Sequence, residues 1–242
     1  MQSNAFYKQE VPVPVRCEVP KIDPSNAPKA DYESFLNTSI ECLMRMWAPE
    51  VQAAGFKATR PPLVVYHGTQ STPCGDSPDE EAIYCSDDQK IYFADDFLKL
   101  FPQQQDDSYV LFAVMAHHFS HVVQGQTGIL WSEWKWHEYY LGKNDPDSAN
   151  KVNRRMELQA DCLGGEFLQS VSQSAGISDS EMATIKAFFY SMADDTMWGG
   201  NVAEPDHGLG KNRQAWLTVG LTSSTVAACN TFDPKVTDSQ IK

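Results

Sequence analysis

The chain has 242 residues, of which 42% are hydrophobic, and it carries a formal net charge of −13. Its length and composition predict a globular protein with a sizeable core. The negative charge argues against nucleic acid and anionic membranes as partners, because both repel an acidic protein. No apolar run is long enough for a transmembrane segment, and the first residues lack the basic and apolar regions of a signal peptide.

Cysteine content helps to choose between a cytosolic protein and an exported one. Six cysteines permit three disulfides, although a cytosolic enzyme can also hold six thiols. Cys74 and Cys85 are the most suggestive pair, because they bracket a polar loop with strand-like sequence on both sides. A disulfide that closes such a short loop stabilises the fold by roughly 3 kcal/mol. We therefore expect a secreted or extracytoplasmic protein, with its signal sequence absent from this chain.

The first residues differ in character from the rest of the chain. Residues 1–30 are rich in proline and irregular, which predicts an extended N-terminal arm. A single domain is expected over residues 31–242. It begins with a helix, because apolar residues recur at helical spacing from Tyr32 to Trp47, until Pro49 interrupts the pattern.

Two short β-rich runs and a long apolar helix follow. The runs are "PLVVYHG" and "KIYFA", and we expect them to be neighbouring strands of a small sheet. The helix spans "DSYVLFAVMAHHFSHVVQGQTG", with Asp107 or Ser108 as its cap and Gly125 or Gly128 at its end. It is apolar almost all round, which predicts a position through the centre of the domain.

Two further helices complete the predicted α+β fold, which is mostly helical with a small β-sheet. One covers "SANKVNRRMELQADCLGGEFLQSVSQSAG" and contains the pair Gly164–Gly165. Glycine inside a helix costs about 1 kcal/mol, a cost usually accepted where another backbone approaches closely. The other covers "SDSEMATIKAFFYSMADD" and begins with a capping pattern from Ser178 to Glu181.

The central helix carries three histidines in the stretch "VMAHHFSHVVQ". His117 and His121 are four residues apart, so both can direct a ring nitrogen to one metal ion. Two zinc ligands one turn apart, with a glutamate after the first, form the HExxH pattern of metallopeptidases. Here His118 occupies the position of that glutamate.

The next helix supplies two carboxylates at the same spacing. In "RRMELQADC", Glu157 and Asp161 are four residues apart on an otherwise apolar helix. A zinc site with two histidines needs a third ligand, and a ligand histidine usually donates its other N–H to a carboxylate. Glu157 can be that ligand and Asp161 can orient His117. The alternative is that both are solvated surface acids.

These motifs resemble those of the bacterial family of putative neutral zinc metallopeptidases, which are zincin-like proteins. The matching stretches run from about residue 60 to 232 in the family's order. They are "TPCG" with "IYCSDDQKIYFADDF", "VMAHHFSHVVQ" with "TGIL", "RRMELQADCLGGEF", and "DHGLGKNRQAWLTVG" with "ACNTF". The "ELQADC" block after an HxxxH helix is a specific motif.

The resemblance implies a zincin-like domain that binds Zn²⁺ through His117, His121 and Glu157, with Asp161 behind these ligands. A peptide or protein is the implied substrate or partner, and the implied setting is exported or membrane-associated. The resemblance also implies two disulfides, Cys74–Cys85 and Cys162–Cys229. The pairing of the other two cysteines stays open.

Two positions depart from the family pattern, which has glutamate in place of His118 and usually glycine in place of Ser120. The glutamate moves protons to and from the reacting groups, a contribution of about 10²–10⁴-fold. A histidine reaches less far and carries no negative charge. His118 can hydrogen-bond a metal-bound water or anion, or it can face the cleft without a role.

Two other features bear on function. His207, in "EPDHGLGKNR", falls near the site in the family and can stabilise an oxyanion, although a structural role in a turn is an equal alternative. The segment "LWSEWKWHEYY", residues 130–140, either covers the core or forms a substrate or partner surface.

Three functions are compatible with the sequence. The first is a zincin-fold protein that binds metal but has impaired or absent peptidase activity, with a binding or regulatory role. The second is an active zinc peptidase in which His118 or His207 assists zinc-bound water. In the third, the metal has been lost too. Position 118 favours the first.

Overall fold

The computed structural model describes residues 1–197 and 206–242 and confirms a mostly helical α+β fold. None of the described helices is long and apolar enough to cross a membrane. The described α-helices are α1 (Lys29–Ala53), α2 (Ser108–Gln126), α3 (Ile129–Leu141), α4 (Pro146–Ala175), α5 (Asp179–Ser191), α6 (Asp194–Met197), α7 (Gly210–Gly220) and α8 (Asp238–Ile241). The strands are β1 (Leu63–Tyr66), β2 (Gln70–Thr72), β3 (Gly75–Ser77), β4 (Ala82–Cys85) and β5 (Lys90–Ala94).

The main sheet has the order β1-β5-β4, and β2 and β3 form a separate two-stranded ribbon. The two β-rich runs predicted to be neighbours are β1 and β5, which pair in parallel. β4 pairs with β5 in antiparallel fashion and forms the edge of the sheet that packs against α2.

Helix α2 runs through the core, as its apolar sequence predicts. The Asp107 side chain caps it by accepting from the backbone N–H groups of Tyr109 and Val110. The helix ends at Gln126, two residues before Gly128, whose φ of 75° lies in the left-handed region. Because α1, α4 and α5 all pack against it, α2 holds its histidines at fixed positions in the interior.

The predicted interruption of the first helix at Pro49 is wrong, because α1 continues through Pro49 to Ala53. A proline inside a helix removes one backbone hydrogen bond, at a cost of about 3 kcal/mol or more. Trp47 and Val51 are buried on either side of it, so burial of the apolar face offsets this cost.

Of the Gly164–Gly165 pair, Gly165 serves a close backbone approach, whereas a Cβ atom on Gly164 would make only ordinary van der Waals contacts. A Cβ atom on Gly165 would collide with the Leu217 carbonyl of α7, and one on Gly220 would collide with the Cys162 carbonyl of α4. On the other side, a Cβ atom on Gly164 would lie 3.5 Å from the backbone nitrogen of His117. Helix α4 thus packs against α7 at Gly165 and against α2 at Gly164, and the approach to α7 is the closer of the two.

Three disulfides pair all six cysteines. Cys74–Cys85, the pair favoured by the sequence, joins the turn between β2 and β3 to the end of β4, and Cys162–Cys229 joins α4 to the C-terminal segment, as the resemblance implies. Cys17–Cys42 ties the N-terminal segment to α1.

The N-terminal segment also runs beside α4. The Val15 N–H donates to the Ser170 carbonyl, and the Cys17 N–H donates to the Ser174 hydroxyl. The Ser170 hydroxyl donates in turn to the Pro12 carbonyl. These bonds hold residues 12–17 in an irregular path along the helix.

Glu166 on α4 is fully buried, and neither carboxyl oxygen has a hydrogen-bond partner among the described residues. The nearby Ser223 hydroxyl donates instead to the Thr225 carbonyl. Burial raises the pKa of Glu166 well above its usual range. A group with a raised folded-state pKa stabilises the fold fully below its unfolded pKa, and this contribution is lost as pH rises through the folded value.

Glu166→Gln is therefore expected to raise the free energy of unfolding at pH 8 by about 1–3 kcal/mol, because an amide need not ionise. At pH 4 the two proteins should differ by much less. Urea unfolding at both pH values measures this, with the exposed Glu41→Gln as the matched control. Equal effects at both pH values would contradict the account.

Candidate metal centre

Four of the predicted site residues meet between α2 and α4. His117 and His121 lie one turn apart on α2, and Glu157 and Asp161 lie one turn apart on α4. All four side chains are buried. Glu157 and Asp161 are therefore not solvated surface acids.

Three of these side chains direct one atom each to a common point. His117 Nε2 lies 3.2 Å from His121 Nε2 and 3.3 Å from Glu157 Oε2, and His121 Nε2 lies 3.5 Å from the same oxygen. Tetrahedral zinc, with bonds of about 2.0–2.1 Å, separates its ligand atoms by roughly 3.3 Å. The triangle therefore has the dimensions of one face of a zinc tetrahedron.

The hydrogen bonds on the far side of each ring fix which nitrogen carries the proton. His117 Nδ1 lies 2.8 Å from Asp161 Oδ1, and His121 Nδ1 lies 2.8 Å from Gln124 Oε1. Both partners are acceptors, so both Nδ1 atoms donate and the Nε2 lone pairs face Glu157. Three electron-rich atoms at this range repel one another unless a proton or a metal ion lies between them. This donor set fits zinc.

Asp161 and Arg213 form a buried ion pair behind His117. Arg213 Nε donates to Asp161 Oδ2 at 2.9 Å, and Nη2 donates to Oδ1 at 2.8 Å. Burial opposes the ionised carboxyl, but the Arg213 guanidinium outweighs it and lowers the pKa of Asp161. Burial likewise opposes the His117 imidazolium, but Asp161 and then Glu157 raise the pKa of His117.

Gln124 is a positioning residue that the sequence analysis missed. Its Nε2 donates to the Met156 carbonyl at 2.9 Å and to Gln159 Oε1 at 3.2 Å, which holds its Oε1 against His121. The sequence did contain a signal for this role. Gln124 is an amide in an apolar helix, one turn after a histidine, and a buried amide requires hydrogen-bond partners.

His118 lies beside the other two histidines, with its ring centroid 5.2 Å from that of His117 and 6.2 Å from that of His121. Its ring packs edge-on against Phe93 and Phe97, with ring centroids 5.9 and 6.4 Å away. Its Nδ1 is buried and has no hydrogen-bond partner among the described residues. Burial, followed by the charges of His117 and His121, holds the pKa of His118 well below its usual range. His118, His117 and His121 also each offer one ligand atom within 4.8 Å of the others.

His207 lies at the same cavity, held by two aspartates. His207 Nδ1 is 2.7 Å from Asp206 Oδ1 and 3.5 Å from Asp194 Oδ1. The backbone N–H groups of His207 and Gly208 also donate to Asp194 Oδ2, which fixes the turn. Burial opposes the charged ring, but Asp194 and Asp206 outweigh it and raise the pKa of His207 to about 10.

The cavity in front of these groups has a volume of about 220 Å³. Its lining comprises Ala82, Ile83, Tyr84, His117, His118, His121, Leu130, Met156, Glu157 and His207. Edge strand β4 thus forms one wall and the α2 histidines form another. The arrangement presents a strand edge, charged hydrogen-bond donors and a set of metal-binding atoms to one small space.

The aromatic segment forms helix α3, and its tryptophans do not cover the core. Trp131 is 59% exposed, and Trp134, Trp136 and Tyr139 are each about half exposed. Trp131 and Trp134 stack at 5.0 Å between ring centroids. The face that α3 turns inward includes Ile129 and the buried Glu133 instead. A binding role for the exposed aromatic residues stays a prediction.

Comparison with known proteins agrees with these features. The family model described as "Putative neutral zinc metallopeptidase" matches residues 14–232. "Uncharacterized protein YpfJ" of Escherichia coli (strain K12) is 27% identical over 236 residues, which cover 93% of this chain and 79% of the relative. "Uncharacterized protein Rv2575" of Mycobacterium tuberculosis (strain ATCC 25618 / H37Rv) is 30% identical over 193 residues, covering 72% and 63% respectively. No solved structure gives a significant match. Because the family model spans most of the sequence, the chain belongs to the family of putative neutral zinc metallopeptidases.

Proposed function

We propose that this protein binds zinc at the α2–α4 centre but has impaired or absent peptidase activity, and acts as a binding or regulatory pseudopeptidase. The observation that carries the metal site is the triangle formed by His117 Nε2, His121 Nε2 and Glu157 Oε2. The observation that carries the loss of activity is the histidine at position 118, where the family pattern has its proton-carrying glutamate.

His117, His121 and Glu157 would hold the ion, leaving a fourth position open to the cavity. A bound zinc ion supplies a Lewis acid and lowers the pKa of a coordinated water towards about 7. The chain's own contribution is rigidity. Asp161 and Gln124 fix the two imidazole rings, and Arg213 fixes Asp161.

The surroundings of His118 support the proposed impairment of catalysis. A general base must reach the proton that it takes, at about 2.6–3.2 Å or through one water. The rings of Phe93 and Phe97 pack against the His118 ring and restrict its orientation. A rigid imidazole also has fewer conformations than a glutamate side chain in which it can reach a water molecule in the cavity. It also brings no negative charge to attract the proton of a water molecule.

The surroundings of His207 favour a second candidate function, that of an active peptidase. The charged ring of His207 lines the cavity and is positioned by Asp194 and Asp206. A cationic donor in this place can stabilise the oxyanion of a tetrahedral intermediate. His207 and His118 would then assist hydrolysis without the usual glutamate.

The edge of the sheet supports a peptide or protein as the substrate or partner. β4 pairs with β5 on one side, and no other described strand pairs with its opposite edge. Ala82, Ile83 and Tyr84 of this strand line the cavity. An extended peptide can add to such an edge through main-chain hydrogen bonds. The three disulfides support an oxidising, extracytoplasmic compartment for this binding.

The proposed ligand set is tested by comparing Glu157→Gln with His118→Ala in a zinc competition titration against a chromophoric chelator. Glu157→Gln should weaken zinc binding by more than the roughly 10–100-fold that loss of a ligand's hydrogen-bond partner costs. His118→Ala should change the affinity by less than about tenfold, a smaller effect than losing such a partner. The opposite order would make His118 the third ligand and overturn the assignment.

A further inference from the structure

A second group of side chains that could hold a metal ion lies at the carboxyl end of the parallel strands β1 and β5. β1 and β5 run in parallel, so their carboxyl ends meet at one edge of the sheet. His67 directly follows β1, and Asp95 and Asp96 directly follow β5. The Asp95 N–H donates to the Tyr66 carbonyl at 2.9 Å, which holds the two strand ends together.

The polar atoms of this group are close and mutually directed. His67 Nδ1 lies 2.8 Å from Asp95 Oδ1 and 3.6 Å from Asp96 Oδ2. Each of the three residues offers one ligand atom within 4.8 Å of the others. Lys99 Nζ, on an exposed side chain, lies 3.5 Å from the same Asp96 oxygen.

Asp96 shows that this group is more than a cluster of surface charges. Its side chain is only 10% exposed. Its Oδ1 atom is buried but has no hydrogen-bond partner among the described residues. The other oxygen, Oδ2, faces His67 and Lys99, but a buried carboxylate that is satisfied at one oxygen only is still costly, and a cation with a higher charge compensates it better. Asp96 also lines a cavity of about 220 Å³ together with His67 and Asp95, so an ion and its waters have access.

We propose that His67, Asp95 and Asp96 form a second divalent-cation site, separate from the α2–α4 centre. One imidazole and two carboxylates suit zinc or a related first-row ion, with water in the remaining positions. The bound ion takes the place of the Lys99 ammonium beside Asp96, and the flexible lysine moves into solvent. This site does not depend on the proposed function of the other centre.

A cation here would also stiffen the segment behind His118. Asp96 immediately precedes the short 3-10 helix Phe97–Leu100. Phe97 from this helix and Phe93 from β5 contact the His118 ring. An ion that joins Asp95 and Asp96 to His67 fixes the link between β5, which carries Phe93, and the 3-10 helix, which carries Phe97.

The test is calorimetric titration of the metal-free full-length protein with zinc at pH 8. The pH matters because the hydrogen bond and charge of Asp95, and the charge of Asp96, raise the pKa of His67, so a proton competes with the metal. We expect two binding events per chain. We call binding at the α2–α4 centre the first event and binding at the His67 site the second event. His67→Ala should weaken the affinity of the second event by at least about tenfold, since losing a ligand costs no less than losing a ligand's hydrogen-bond partner. The affinity of the first event should not change.

Two variants sharpen the result. Lys99→Ala should tighten the second event by about two- to fivefold, because it removes an exposed competing charge. His137→Ala is the matched histidine control, since His137 is partly exposed and lies 3.8 Å from one carboxylate, that of Glu138. If every zinc-binding event of the natural sequence survives His67→Ala, the proposal is overturned, whether one event or two are observed. Equal losses in the His67 and His137 variants would also overturn it.

Discussion

Replacing Arg213 by alanine is expected to lower the free energy of unfolding by about 3–5 kcal/mol, the usual cost of leaving a buried charge without its partner. Arg213 and Asp161 are both almost completely buried, and two hydrogen bonds of 2.8 and 2.9 Å join them. The variant also deprives the Met192 carbonyl of the bond that Arg213 Nη1 donates at 3.0 Å.

Urea unfolding measures this prediction, and Arg16→Ala is its matched control. Arg16 also makes a close contact with a carboxylate, Glu18 Oε1 at 2.7 Å, but both side chains are largely exposed. An exposed pair contributes about 0–1 kcal/mol. If Arg213→Ala lowers the free energy of unfolding by less than about 1 kcal/mol, the buried pair contributes no more to stability than an exposed pair, and the prediction is wrong.

The variant His118→Glu is expected to hydrolyse generic peptides at least about tenfold faster than the natural sequence. A correctly placed general acid–base group contributes about 10²–10⁴-fold, and the metal-binding atoms are already arranged beside position 118. A glutamate there restores the carboxylate that the family pattern has. The measurement is kcat/KM on an unstructured peptide library, with zinc content determined for each protein.

His118→Gln is the matched control, because glutamine has the shape of glutamate without its charge or basicity. It should leave hydrolysis at the natural level. Equal rates for all three proteins, each with zinc bound, would mean that the cleft and not the base has been lost. High activity in the natural sequence would favour the active peptidase assisted by His118 and His207.

Local patterns in the sequence predict much of the fold and the site. The apolar content of α2 predicts its central position, and the spacing of four residues puts His117 beside His121 and Glu157 beside Asp161. The Ser178–Glu181 capping box is present in the structure as predicted. These features depend on residues that are near one another in the chain, so periodicity and capping rules suffice.

Contacts between distant segments could not be predicted in this way. Arg213 meets Asp161 from 52 residues away, and no local pattern indicates such a pair. His67 has no partner within its own segment and acquires Asp95 and Asp96 only because β1 and β5 run in parallel. Pro49 favours a helix end locally, but burial of the apolar face of α1 prevails over this preference.

The exposure of α3 is a further result of tertiary packing. Tryptophan is usually well buried, and a segment with three of them between two core helices predicts a cover for the core. In the structure, the inner face of α3 is occupied by Ile129 and Glu133, and the tryptophans face outward. Which face packs is decided by the neighbouring helices α2 and α4.

The central claim, a zinc site that has lost its usual base, is tested most directly by zinc content of the purified, unchelated protein. Elemental mass spectrometry should be carried out in a His67→Ala background, so that the second proposed site does not contribute, with and without His121→Ala. The account predicts about one zinc per chain, because a complete set of ligands binds one ion. It also predicts that this zinc is lost when His121 is replaced. An absence of zinc from both proteins, or retention after His121→Ala, would contradict it.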